Sequence, residues 1–154
     1  MMITEIFTNE ILIIPICSWA VAQLLKVIII LIQKKQLDFR YLVISGGMPS
    51  AHSAVVSALA TSVALTQGLG SAVFGLSAIV ALIVMYDAAG VRQSVGKQSI
   101  VLNRMIRELS RRRTITDLEH DLKEFIGHTS FQVIVGGLLG VIIAWSWLAI
   151  ISAR

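Results

Sequence analysis

From Ile11 to Ile32 the chain runs for 22 residues with a single charge, Lys26. At 1.5 Å per residue, a helix of that length crosses a hydrocarbon core of roughly 30 Å. In lipid only helices and closed barrels satisfy their own backbone. This one stretch therefore restricts the chain to membrane architecture, and three further apolar stretches, 49–66, 71–86 and 131–151, repeat the demand. The middle two join through Gln67-Gly68-Leu69-Gly70, so they form a close hairpin. A mean hydropathy of +0.82 with 14% charged residues lies outside the soluble range. The expectation is one all-α domain over residues 1–154: a polytopic membrane helical bundle of about four transmembrane helices plus a cytoplasmic amphipathic helical segment at 93–127.

The 13 Lys and Arg against 9 Asp and Glu do not point to nucleic acid, because the charges sit between apolar spans and no aromatics interleave with them to stack bases. The lone Cys17 lies in an apolar run and can form neither an intrachain disulfide nor a metal cluster. Glu5 and Glu10 stand where a signal peptide would be basic, and no small-residue cleavage site follows, so an uncleaved start is expected. By loop, the first carries Lys34, Lys35 and Arg40, the second no Lys or Arg, and the third eight from Arg92 to Lys123. With four spans, the positive-inside rule puts the first and third loops in the cytoplasm and both termini outside. The expected location is the inner (plasma) membrane of a bacterium.

Within the third loop, Leu102, Met105, Ile106 and Leu109 recur at helical spacing. After Arg111-Arg112-Arg113, Thr116 and Glu119 form a capping-box pattern ahead of the apolar Leu118, Leu122, Phe125 and Ile126. Such a pair suits the bilayer surface, with His120 solvated. Small residues at Ser57, Ala58, Ala60, Thr61 and Ala64 facing Gly75, Ser77 and Ala78 would let the second and third spans approach closely, and Gly136 and Gly140 form a second close-packing pattern, within one chain or between two. Oligomeric state is not readable from these features.

The topology gathers polar residues at one membrane face. Gly46-Gly47-Met48-Pro49-Ser50-Ala51-His52-Ser53 opens the second span, with tight backbone at the glycines, Pro49 in a first helical turn, and unpaired N–H groups at a helix start. Asp87 and Arg92 end the third span, and His128 opens the fourth. Lys26 lies near the same face, where it either snorkels to water or is buried against a partner. Two histidines, two cations, a carboxylate and a helix N-terminus supply what phosphoryl transfer needs: donors for the oxygens, an in-line nucleophile and an acid for the leaving group. A metal site is less well supported, since no close histidine pair is present and only one carboxylate is near. Ser50 as a nucleophile lacks an evident third member.

At these residues the chain resembles the superfamily of type 2 phosphatidic acid phosphatases and vanadium haloperoxidases, in its short, divergent membrane branch. The resemblance covers nearly the whole chain: Lys26, GGMPSAHSA at 46–54, VMYDAAGVR at 84–92, GKQSIVLN at 96–103 and LKEFIGHTSFQV at 122–133. In that superfamily the histidine of a Pro-Ser-Gly-His motif is the leaving-group acid, and a later histidine attacks phosphorus. The resemblance thus implies His52 as acid, His128 as nucleophile forming a phosphohistidine, and Lys26 as the first-motif lysine.

Three positions depart from the superfamily pattern. Ala51 replaces the motif glycine, Gln132 stands where an aspartate orients the nucleophile, and Leu122 where an arginine precedes it. Arg92 is the residue available for the missing clamp. Asp87 can orient a histidine or Arg92, and Gln132 can accept from His128 without stabilising its charged form. The expected function is a metal-independent, cofactor-free lipid phosphate phosphatase acting on a phosphomonoester or pyrophosphate at the cytoplasmic face. Lys26, Ser50 and Arg92 would bind phosphate, and the partners would be the bilayer and a lipid phosphate. The alternative is a non-catalytic anionic-lipid-binding or transporter-associated membrane protein. Haloperoxidase chemistry would need vanadate in a site open to lipid.

Overall fold

The computed structural model describes residues 2–35, 47–112 and 129–153, and these are almost entirely helical: α1 (Met2–Thr8), α2 (Glu10–Lys34), α3 (Ala51–Gln67), α4 (Ala72–Ala89), α5 (Val91–Arg112) and α6 (Ser130–Ser152). The second amphipathic helix expected from Thr116, with His120, lies outside the described residues, as does Gly46.

Local chemistry sets the helix ends. α2 stops where Lys35 takes a left-handed conformation (φ 52°) and its N–H returns to the Leu31 carbonyl at 2.9 Å. α3 begins at Ala51, two residues later than Pro49 suggests, because the Ser50 side chain accepts from the Ser53 N–H and makes Ser50 the cap. Pro49 therefore precedes the helix, on a cis Met48–Pro49 peptide. Ser71 caps α4 by accepting from the Phe74 N–H at 3.1 Å. At the other end of α4 the expected break at Tyr86 is absent. The Gly90 N–H bonds to the Tyr86 carbonyl and the Ser94 N–H to the Gly90 carbonyl, so α5 follows with Gly90 alone between them. α5 carries exposed Val91, Val95, Leu102 and Met105 at helical spacing, as an amphipathic segment should.

The packing is that of a lipid-solvated bundle. Small residues fill the interior, among them Ala22, Ala51, Ala54, Ala58 and Ala144, while Leu76, Ile79, Leu82 and Ile83 of α4 face outward. Lipid tails are as apolar as leucine, so helices associate through close contact of small residues and not by hiding large ones. α3 packs against α2, α4 and α6 and is the innermost helix. Its 17 residues cover only about 26 Å. Among the described residues three stretches are long and apolar enough to cross a membrane, Glu10–Gln33, Ala72–Ile106 and Ser130–Ser152, and their helices α2, α4 and α6 pack against the shorter, more hydroxylated α3.

The tightest approach is α3 to α6. A methyl on Gly136 would overlap the Ser50 carbonyl, and one on Gly140 would overlap the Ala54 carbonyl. The glycine pattern expected in α6 therefore works within one chain. These pairings make α3 and α6 parallel. α2 runs antiparallel to α3, since Lys26 lies against Gly47 and the Ser18 hydroxyl donates to the Ala54 carbonyl at 3.2 Å. Between α3 and α4, Ser57 donates to the Met85 sulfur at 3.8 Å and Ser77 is buried. Gly75, expected in that contact, has open space around it, because it lies on the outer side of α4.

Candidate functional site

The parallel course of α3 and α6 brings both of their N-termini to one end of the bundle, and Lys26 of α2 joins them. Lys26 is only 2% exposed, so it does not snorkel. Its ammonium donates to the Gln23 Oε1 at 2.8 Å, one turn back on the same helix. Its methylenes lie along Gly47, where an added Cβ would sit 3.5 Å from Lys26 Cγ and Cδ. Gly47 has φ +82°, a left-handed conformation that suits glycine and strains any residue with a Cβ. Gly47→Ala is expected to lower stability by about 1–2 kcal/mol in detergent unfolding. Gly70→Ala, with open space and no such φ, is expected to leave stability unchanged.

Ser50 has no exposed surface and is held from two directions. Its Oγ accepts from the Ser53 N–H (3.4 Å) and from Ser53 Oγ (2.9 Å), while its own N–H donates to the Gln132 carbonyl at 3.2 Å. Its hydroxyl thus serves the cap, and its backbone ties the turn to the first turn of α6. Gln132 has a second duty: its Oε1 accepts from the Thr129 N–H at 3.1 Å while Thr129 Oγ1 accepts from the Gln132 N–H, a complete capping box. That oxygen is the one expected to accept from His128, so any orienting bond would share an acceptor with the cap.

The remaining expected residues fall as follows. His52 occupies the first turn of α3 with an exposed, engaged side chain. Asp87 is half-buried and engaged, two residues beyond Met85 in the direction of the Ser50 end. Arg92 is the second residue of α5; its side chain lies outside what is described. His128 also lies outside the described residues and adjoins Thr129 in sequence. Lys26, Ser50 and Gln132 are thus brought together. Among the described residues, four buried polar ones were not singled out by sequence reasoning, Ser18, Gln23, Ser62 and Asn103. Gln23 was findable, being a second polar residue on the Lys26 face of an apolar span. Asn103 reads in sequence as one polar position of an amphipathic helix, which gives no hint of its burial.

A buried ammonium with a neutral acceptor, placed beside a helix N-terminus, suits an anion. Among the described residues no group of three or more His, Cys, Asp and Glu is arranged to hold a metal ion.

Comparison with known proteins identifies the family. The family described as divergent PAP2 matches residues 7–143. The chain is similar to YuiD of Bacillus subtilis strain 168, described as an uncharacterized membrane protein, with 38% identity over 148 residues, covering 90% of this chain and 94% of that relative. No solved structure shows a significant match. The chain belongs to the divergent PAP2 family.

Proposed function

We propose that this divergent PAP2 family member is a lipid phosphate phosphatase, a single integral membrane domain whose polar end faces the cytoplasm with both termini outside. The observation that carries the reading is Lys26: a cation buried in the bundle interior, beside the motif turn, with a neutral partner. Burying a charge among membrane helices is costly and calls for a functional counter-charge. A phosphate dianion at the Ser50 end supplies it.

In this reading Lys26, Arg92 and the N–H groups of the first turn after Ser50 hold the phosphate oxygens. His128 attacks phosphorus, the bond from phosphorus to the lipid oxygen breaks, and His52 gives its proton to that oxygen. His52 then takes a proton from water as the water attacks the phosphohistidine, releasing phosphate and restoring His128. Asp87 orients a histidine or Arg92. A phosphomonoester or a pyrophosphate on a membrane lipid satisfies these steps equally. The test is phosphate release from a panel of phospholipid and prenyl phosphates by purified protein in detergent with EDTA present. Release from some members of the panel supports the reading, and silence across it with folded protein overturns it.

Arg92→Lys is expected to lower kcat/KM at least tenfold, because a point charge cannot reproduce a bidentate clamp on phosphate. Full activity in that variant would remove Arg92 from the clamp.

One observation favours a second reading, an anionic-lipid binder without turnover: the Gln132 Oε1 is engaged in the α6 cap and carries no charge to activate a nucleophile. A binder would take up lipid phosphate in detergent and release no phosphate from it.

A further inference from the structure

Gln23 and Lys26 stand one helical turn apart on a single face of α2, and both are buried. Ala22 packs with Ala51 and Ala54, and Lys26 lies against Gly47, so Gln23 stands at the level of the turn that opens α3. An ammonium has three protons to donate, and Gln23 takes one of them at 2.8 Å. Among the described residues no carboxylate and no second acceptor engages Lys26. Two protons and the whole charge are left for another group. Gln23 is further engaged, and the Lys26 stem runs along Gly47, so the ammonium is held at its head and along its length.

We infer that Gln23 is a positioning residue of the anion site: its carboxamide fixes the Lys26 ammonium without neutralising it, which keeps that charge for a phosphate group. The inference rests on the lipid phosphate reading and adds the residue that keeps its anion site open. The choice of side chain carries the argument. A glutamate has nearly the same shape and would make the stronger, charge-assisted bond to lysine. Charges inside membrane proteins commonly pair with one another, so a lysine with only a structural duty would be better served by that carboxylate. The resulting ion pair would leave no net charge for an anion. An apolar side chain of the same length would leave the charge intact, but would free the end of a flexible four-carbon stem. A neutral acceptor alone meets both needs, because it satisfies the buried donor and leaves the charge uncompensated.

The experiment uses the full chain in nanodiscs of zwitterionic lipid and measures thermal unfolding, affinity for a long-chain alkyl phosphonate, and phosphate release. Gln23→Glu is expected to unfold at or above the wild-type temperature, yet to bind the phosphonate more weakly by about tenfold or more and to show a KM raised to match. Gln23→Met, which loses the hydrogen bond and keeps the charge, is expected to bind more weakly than wild type and more tightly than Gln23→Glu. A merely structural role predicts the opposite order. Gln67→Glu adds the same charge at the exposed far end of α3 and is expected to change nothing. Wild-type affinity and KM in Gln23→Glu would overturn the inference. If that variant does not fold, wild-type affinity and turnover in Gln23→Met would overturn it instead. Phosphonate binding that depends on Gln23, without phosphate release by wild type, keeps the inference and discards the phosphatase. Release that both variants leave intact does the reverse, and a wild type that neither binds nor releases discards both.

Discussion

Replacing His128 with Ala is expected to bring phosphate release from lipid phosphates below detection, with the protein still folded and still binding the lipid. The proposed reaction has no other route, since without the imidazole no phosphohistidine forms and water must attack a phosphorus still bonded to the lipid leaving group, an alkoxide or a lipid phosphate. Lys26 and the start of α3 remain in place, so ground-state affinity survives while kcat is lost, the signature of a group acting in the chemical step. His52→Ala is expected to slow release by about 10²–10⁴-fold, the usual contribution of a positioned proton donor. The two variants differ in a second readout. With a phosphate-labelled substrate quenched during turnover, wild type and His52→Ala should carry label on histidine, and His128→Ala should not. Label in His128→Ala would move the nucleophile elsewhere.

The second large effect is structural. Gly136→Val and Gly140→Val are each expected to cost on the order of 3 kcal/mol or more, and the pair together to leave no folded protein. The obstacle is a carbonyl oxygen of α3 in each case, at Ser50 and Ala54, so the side chain meets backbone and no rotamer escapes it. Gly75→Val serves as the control, since that position is open. Detergent unfolding and gel filtration give the answer, and Gly136→Val as stable as wild type would refute the α3–α6 contact.

Much of this was legible in the sequence because lipid simplifies the problem. Long apolar runs must become helices when no water is present to satisfy backbone, so the all-α bundle follows from hydropathy. The gathering of Lys26 and the Ser50 turn at one end followed from counting spans. What hydropathy does not encode is which helix lies inside. α3 is the least apolar of the four bundle helices, and its serines suit an interior place: Ser53 donates to the Ser50 cap and Ser62 to the Ala58 carbonyl, while Ser18 of α2 donates across to the Ala54 carbonyl. The join of α4 to α5 was also hidden: the apolar stretch ends at Tyr86, yet the Gly90 N–H bonds back to the Tyr86 carbonyl and the Gly90 carbonyl accepts from the Ser94 N–H, continuing the helical bonding. Gln132 shows a third limit. Its place in the motif suggested a duty toward His128, while its position three residues after Thr129 assigns it a helix cap, and a single side chain can be asked to serve both.

The two glycines of α6 also act as a code for register. Sliding α6 by one turn in one direction would set the Ala144 methyl on the Ala54 carbonyl; sliding it the other way would set the Gln132 side chain on the Ser50 carbonyl. Only the observed setting gives both oxygens a residue without a side chain. The same setting fixes how far Thr129, the cap of α6, stands from the start of α3. The meeting of the two helix starts is thus selected by a steric key one to two turns inside the bundle, and a chain that misplaces that key by one turn displaces the two helix starts by about 6 Å.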